Sequence, residues 1–257
     1  MALKTRTVVC GCCGKMGAAI VRAAARADDL EVIAGIERHD HPLVGQRLRD
    51  SEAFITVDLG KVLGFADVVV EFTTPEASLE HLEMVREAGK PLVLGTTGFD
   101  AAQEEMIRKA GTTIPCLYSP SMSLGVSVLF DLVPRASRLL GGDFDVEIVE
   151  AHHRQKVDAP SGTAKRLADL VAEGRSAGSG EIAPGGGAGE VGIHSLRAGD
   201  VVGEHAVIFA GTGEKVELRH TAADRNTFAQ GALRGIRFVA AAAPGLYDML
   251  DVLGVRP

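Results

Sequence analysis

The sequence predicts an α/β protein in two parts: a doubly wound parallel sheet with helices on both faces, then a second α+β domain with a mixed, open sheet. Three observations carry this prediction. Up to residue 118, short apolar runs alternate with segments whose apolar residues recur every three to four positions, the pattern of strands joined by crossover helices. Beyond residue 144, apolar and acidic residues alternate instead, as in a strand with one wet face. One long apolar helical run, 124–140, separates the two patterns.

In order, strands are expected at 5–10, 31–36, 68–72, 91–94 and 114–118, with helices at 16–27, 76–88 and 101–110. The strands are short and rich in Val, Ile and Leu, which suits a sheet covered on both faces. The helices end near a Gly or an acidic turn. After 124–140, a strand from 144 carries Phe144, Val146 and Ile148 on one face, with Asp145 and Glu147 opposite. A helix over 164–173 has Leu167, Leu170 and Val171 on its apolar stripe. Residues 176–192 are Gly-rich and nearly free of large apolar side chains, so they read as a mobile loop. Strands resume at 192–196, 206–209 and 215–220, and an Ala-rich helix over 225–243 suits packing back on the first domain. The domains are therefore expected at 1–123, with 233–257 returning to it, and at 124–232.

Composition narrows the function. A chain of 257 residues, 46% hydrophobic and 24% charged, can bury a sizeable core. No apolar stretch approaches the roughly 20 residues of a membrane helix, and the N-terminus lacks the apolar region of a signal peptide. A cytoplasmic protein without a membrane partner is expected. The net charge of −7 and the lack of a basic stripe argue against nucleic acid, so an anionic ligand must be small. The four cysteines, Cys10, Cys12, Cys13 and Cys116, make no disulfide framework and suit a reduced compartment. Their C-x-C-C spacing matches none of the usual metal knuckles, and no metal site is expected.

Residues 150–163 read Glu-Ala-His-His-Arg-Gln-Lys-Val-Asp-Ala-Pro-Ser-Gly-Thr. His152, His153, Arg154 and Lys156 supply positive charge and transferable protons, and Ser161-Gly162-Thr163 opens a helix with free N–H groups. The plainer alternative is a hydrated surface in which the bases pair with Glu150 and Asp158. The N-cap context at Ser161 favours an anion site, with a small carboxylate as its natural guest. His152 and His153 would point to opposite faces of an unbroken strand, so both can face one ligand only if the strand stops near Ala151.

A second motif, Gly11-Cys12-Cys13-Gly14-Lys15-Met16-Gly17, sits at the first strand-to-helix turn, where a Rossmann-like dinucleotide-binding domain holds its pyrophosphate. Gly11 suits the tight turn, Gly14 the approach of phosphates and Gly17 close helix packing, while Cys13 replaces the middle glycine of G-x-G-x-x-G. After the second strand, Glu37 can accept from the ribose hydroxyls of NADH, and Arg38 can stack on adenine or meet the 2′-phosphate of NADPH. Both cofactors stay open. Gly95-Thr96-Thr97-Gly98 and Ser119-Pro120-Ser121-Met122-Ser123 end further strands at the same sheet edge.

Together these residues resemble the 4-hydroxy-tetrahydrodipicolinate reductase family, formerly dihydrodipicolinate reductase, over nearly the whole chain. Besides the motifs above, the resemblance rests on E-F-T-T-P-E at 71–76, S-M-S-L-G-V at 121–126, R-A-G-D-V-V-G-E-H at 197–205 and F-A-Q-G-A at 228–232. It implies NAD(P)H-dependent reduction of a cyclic dicarboxylate on the diaminopimelate route to lysine. It implies cofactor contacts from Gly11 to Met16, Glu37, Arg38, Gly95, Thr96, Thr97, and Pro120 to Ser123. It further implies His152 as proton donor or acceptor, Lys156 as a second proton donor, and His153, Gly162 and Thr163 as substrate-binding residues. A homotetramer built through the second domain's sheet, and domain closure over the substrate, are also implied. Cys13 and Ser121 depart from the small residue and the Asn common in relatives. Rival readings are another nicotinamide-dependent dehydrogenase, a nucleotide-binding sensor without turnover, and an interaction scaffold using the Gly-rich loop.

Overall fold

A computed structural model describes residues 3–175 and 191–255. The chain begins β1 (Thr5–Cys10), α1 (Lys15–Ala24), β2 (Leu30–Ile36), β3 (Phe54–Thr56), α2 (Gly60–Leu63), β4 (Val68–Glu71), α3 (Pro75–Glu87), β5 (Leu92–Leu94), α4 (Ala101–Gly111) and β6 (Pro115–Tyr118). It continues through α5 (Leu124–Leu140), a 3-10 turn at Gly141–Asp143, β7 (Asp145–His152), α6 (Gly162–Gly174), β8 (Val191–Arg197), β9 (Gly203–Gly211) and β10 (Glu214–Ala222). It closes with α7 (Asn226–Val239), β11 (Gly245–Tyr247) and α8 (Met249–Val252). Two compact units result, Met1–Ser123 with Asn226–Pro257, and Leu124–Arg225.

The first unit is a seven-stranded sheet in the order β11-β6-β5-β4-β1-β2-β3, parallel throughout. This is the Rossmann-like order, and it reverses between β1 and β4. Because helices cover both faces, Val8, Val69, Leu92 and Leu94 are wholly buried, packed with Leu82, Val85 and Ile107. Each such side chain contributes about 1.5–3 kcal/mol through burial. Cys10 and Cys116 belong to this core, and all four cysteines are free. Helix starts are set by side chains: Thr74 caps α3 with Pro75 at its first position, and Asp100 and Gln103 form a capping box on α4.

The second unit carries a mixed four-stranded sheet, β10-β9-β7-β8, in which β7 runs antiparallel to β9 and parallel to β8. Along β7, Val146, Ile148, Glu150 and His152 are buried while the intervening residues are more exposed. The period-two alternation thus delivers a carboxylate and an imidazole to the covered face. Helices α5 and α6 pack closely; a Cβ on Gly174 would sit 2.4 Å from the Pro134 carbonyl oxygen.

The structure departs from the sequence expectations at a few places. β3 and β11 are three residues each, too short to carry a periodic signal. Helix α7 begins at Asn226, so 226–232 lies in the first unit rather than the second, because the helix is unbroken across that stretch. It ends at Val239, ahead of Pro244, and does not reach 243. Of the expected loop at 176–192, residues 176–190 lie outside the described residues, and Val191 and Gly192 already belong to β8. Among the described residues no helix is long and apolar enough to cross a membrane.

Candidate functional site

In the first unit, the ends of β1, β2 and β4 enclose a crevice of about 640 Å³ at the point where strand order reverses. Gly11, Cys13, Gly14, Glu37 and Arg38 line it, together with Phe72, Thr73, Thr74 and His81. Gly11 has φ +71°, and a Cβ there would lie 2.4 Å from the Phe72 carbonyl oxygen, so only glycine suits the turn. A Cβ on Gly17 would lie 2.1 Å from the Gly11 carbonyl oxygen, which lets α1 start hard against the turn. Glu37 reaches back over the same turn and accepts from the Cys13 N–H at 2.8 Å. Arg38 is exposed and pairs with Asp40 at 3.1 Å. Lys15 and Met16 open α1. Cys12 differs from its neighbours: it is buried, and a Cβ on Gly35 would lie 2.5 Å from its sulfur.

Residues 95–97 and 120–123 follow β5 and β6 at the same strand-end edge but do not line this crevice. Thr96 is buried and ties the edge together, its Oγ1 accepting from the Thr73 N–H at 3.0 Å and from Ser78 Oγ at 2.8 Å. Gly95 leaves room for the Phe72 ring, 2.1 Å from where a Cβ would stand. Thr97 and Pro120 are exposed, whereas Ser121, Met122 and Ser123 are buried.

The carboxylate that orders this edge is Glu71, which motif spacing does not flag as a site residue. It is fully buried and accepts from Thr73 Oγ1, from Ser78 Oγ at 3.3 Å, and from His81 Nδ1 at 2.7 Å. An acid ending an otherwise all-Val strand is the signal that marks it. The crevice size, the bare glycine turn and the acid just after β2 together fit a nicotinamide dinucleotide.

In the second unit, β7 stops at His152 and the chain turns over 153–155, so no regular strand runs through Arg154. The condition for His153 to share a ligand with His152 is met. Glu150, fully buried, organises the site. It accepts from His152 Nδ1, from the Ser161 N–H at 3.2 Å, and from both terminal nitrogens of Arg197 at 2.9 and 2.8 Å. Burial pushes its carboxyl up, but bonds from Arg197, Ser195 and His152 outweigh this and hold it down to about 2.

An ionised carboxylate only accepts, so His152 carries its proton on Nδ1 and presents a bare Nε2. Burial holds the His152 ring below the usual histidine range, and Glu150 only partly offsets that. Nε2 faces Gly203, where a Cβ would lie 3.2 Å away. The His205 ring stands edge-on to His152 with centroids 5.1 Å apart, and its Nε2 bonds Ser161 Oγ at 3.1 Å. Burial lowers His205 to about 3, so it is neutral.

Ser161 caps α6, its Oγ accepting from the Ala164 N–H at 3.2 Å. Gly162 is exposed and Thr163 half-buried at the helix mouth, where N–H groups and the dipole favour an anion. Lys156 pairs with Asp158 at 2.9 Å. The fold therefore brings His152, Ser161 and the mouth at Gly162 and Thr163 to one carboxylate. Glu150, Arg197 and His205 are additions that the motif did not assign; Glu150 stands two positions before His152 and so shares its strand face.

Both halves of the chain match family models: dihydrodipicolinate reductase, N-terminus, over residues 5–122, and dihydrodipicolinate reductase, C-terminus, over residues 125–253. A 4-hydroxy-tetrahydrodipicolinate reductase from Syntrophus aciditrophicus (strain SB) is 43% identical, spanning 98% of this chain and 99% of that protein. Another from Anaeromyxobacter dehalogenans (strain 2CP-C) is 44% identical, spanning 98% of each. A solved structure, dipicolinate-bound dihydrodipicolinate reductase from Paenisporosarcina sp. TG-14, is similar with a TM-score of 0.78 at 26% identity, over 97% of this chain and 99% of that one. Since both family models match in order and such relatives span the chain almost end to end, it belongs to the dihydrodipicolinate reductase family.

Proposed function

We propose that the chain is a cytoplasmic, homotetrameric enzyme that reduces 4-hydroxy-tetrahydrodipicolinate to tetrahydrodipicolinate on the diaminopimelate route to lysine. Relatives named for this reaction support it, as does one observation above the rest: the Glu150 carboxylate holds both the His152 imidazole and the Ser161 N–H at the mouth of α6. A proton-handling group and an anion cradle thereby share one anchor. The overall balance is substrate plus reduced cofactor and a proton, giving product, oxidised cofactor and water. When bound, the nicotinamide supplies the hydride, directed to ring C4.

The chain's own residues do the rest. Gly162 and Thr163 hold a ring carboxylate with their N–H groups, and His153 flanks it. The salt-bridged Lys156 ammonium exchanges Asp158 for the substrate and donates the proton to the carbon beside C4. Neutral His152, its Nδ1 proton committed to Glu150, exchanges protons only through Nε2. On the cofactor side, Gly11 to Met16 receive the pyrophosphate, Glu37 the ribose hydroxyls, and Gly95 to Thr97 and Pro120 to Ser123 the nicotinamide end. NADH is preferred over NADPH, because Glu37 repels a 2′-phosphate and Arg38 is engaged by Asp40. The tetramer reading draws support from β10, an edge strand of nine residues exposed along most of its length.

Cofactor oxidation with freshly generated 4-hydroxy-tetrahydrodipicolinate, NADH and NADPH side by side, tests the reading. Lys156→Ala and His152→Gln are each expected to lower kcat by about 10²-fold or more. Dinucleotide binding without turnover would sink it. For the preference, Arg38→Ala should leave the KM for NADH nearly unchanged; a wild type favouring NADPH would refute the role given to Glu37.

A further inference from the structure

On spacing alone, the cysteines of the first turn make no metal knuckle, yet the fold adds a donor that spacing cannot reveal. Cys12 Sγ and Cys13 Sγ lie 3.9 Å apart. Glu37, brought from the end of β2, is held over the turn by the Cys13 N–H at 2.8 Å. The two sulfurs and a Glu37 carboxylate oxygen all lie within 4.8 Å of one another. Two thiolates bound tetrahedrally to zinc, at about 2.3 Å each, stand about 3.8 Å apart. The sulfurs are thus already near ligating separation, and the carboxylate oxygen has to close in from within 4.8 Å.

We propose that Cys12, Cys13 and Glu37 form a binding site for a thiophilic divalent cation of the zinc class, whose occupation excludes the dinucleotide from the same turn. The exclusion rests on the cofactor reading of this edge; the cation site does not. Cys13 and Glu37 line the crevice, so an ion enters from it, and a fourth position opens toward water. The soft donors select Zn²⁺ or Cd²⁺ over Mg²⁺ and Ca²⁺. Both thiols surrender protons on binding, so two protons leave per ion and affinity rises with pH. A second cluster, Cys10, Glu71 and His81, has comparable spacing. It is the poorer candidate because Glu71 is wholly buried and already serves Thr73, Ser78 and His81, whereas Glu37 is half-buried and lines the crevice.

The probe is Cd²⁺, titrated into the reduced, chelator-treated full chain and followed by thiolate-to-cadmium charge-transfer absorbance. One ion per chain is expected, and Cys13→Ser and Glu37→Gln should each weaken binding by about 10-fold or more, while Cys116→Ser binds as wild type does. Saturating NADH should shift the Cd²⁺ isotherm to higher concentration, and Zn²⁺ should raise the KM for NADH without lowering kcat. An absent band, or one unaltered in Cys13→Ser, overturns the site whatever NADH does. Cadmium binding indifferent to bound NADH overturns the exclusion. A chain that binds Cd²⁺ through these residues but no NADH upholds the site and overturns the cofactor reading instead.

Discussion

Replacing Glu150 with Gln changes charge and hydrogen-bonding capacity at almost constant volume, and the structure gives its magnitude. The carboxylate meets only donors: His152 Nδ1, the Ser161 N–H, the Ser195 hydroxyl and both terminal nitrogens of Arg197. An amide offers one oxygen and turns its NH₂ toward donors on the other side. Removing one member of a buried ion pair costs about 3–5 kcal/mol. Arg197 keeps 19% of its side-chain surface in water and retains bonds to the Leu196 and Asp158 carbonyls. We therefore expect a loss of about 2–3 kcal/mol, a fall in melting temperature of roughly 5–10 °C.

The pH dependence carries a sign. Glu150 is depressed to about 2 in the folded protein, so its stabilisation is complete above the unfolded carboxyl range and is lost as pH falls toward 2. The stability gap between wild type and Glu150→Gln should be widest above about pH 5 and close on acidification. In the reductase assay kcat should fall by about 10- to 10²-fold as His152 loses its orienting acceptor. Glu150 raises the His152 pKa against the lowering by burial, so the acid limb of kcat/KM should move further to low pH in the variant. A variant that melts within about 1 °C of wild type, with unchanged kcat and acid limb, would refute the assignment of Glu150 as the anchor.

Gly17→Ala places a methyl 2.1 Å from the Gly11 carbonyl oxygen; since backbone must move, a loss of about 1–3 kcal/mol is expected by thermal melting, with NADH affinity reduced. Glu71→Gln puts an amide among Thr73, Ser78 and His81; destabilisation of about 1–3 kcal/mol and a raised KM for cofactor should appear together, and an unchanged KM would detach this network from the crevice. Gly203→Ala brings a methyl to 3.2 Å from His152 Nε2 and should lower kcat several-fold with little change in melting temperature; undiminished turnover would show that Nε2 handles no proton.

The sequence made the elements legible because their signals are local. Val68 to Val70 and Leu92 to Leu94 are continuous apolar runs, and Pro75 and Asp100 announce helix starts. The glycine turn was equally readable, since Gly11 takes a positive φ and Gly17 faces the Gly11 carbonyl six residues back. Strands β3 and β11 escaped because three residues hold too little periodicity, and the extent of α7 escaped because an Ala-rich helix does not mark its own start. Cys12 looked like its neighbours in the motif but is buried, its sulfur packed where a Cβ on Gly35 would stand 2.5 Å away.

Strands, helices, the bare phosphate-sized turn and the cap before α6 were therefore determined by the sequence itself, since each depends on neighbours a few residues away. Only the tertiary structure decided which charges meet. Glu150 finds Arg197 across 47 positions, and Cys13 finds Glu37 across 24. Hydrogen-bond and ion-pair energies fall off over a few ångströms of space and carry no trace in sequence separation. Sheet register, by pairing Glu150 with Ser195 and His152 with Arg197 on β8, converts those distant residues into one site.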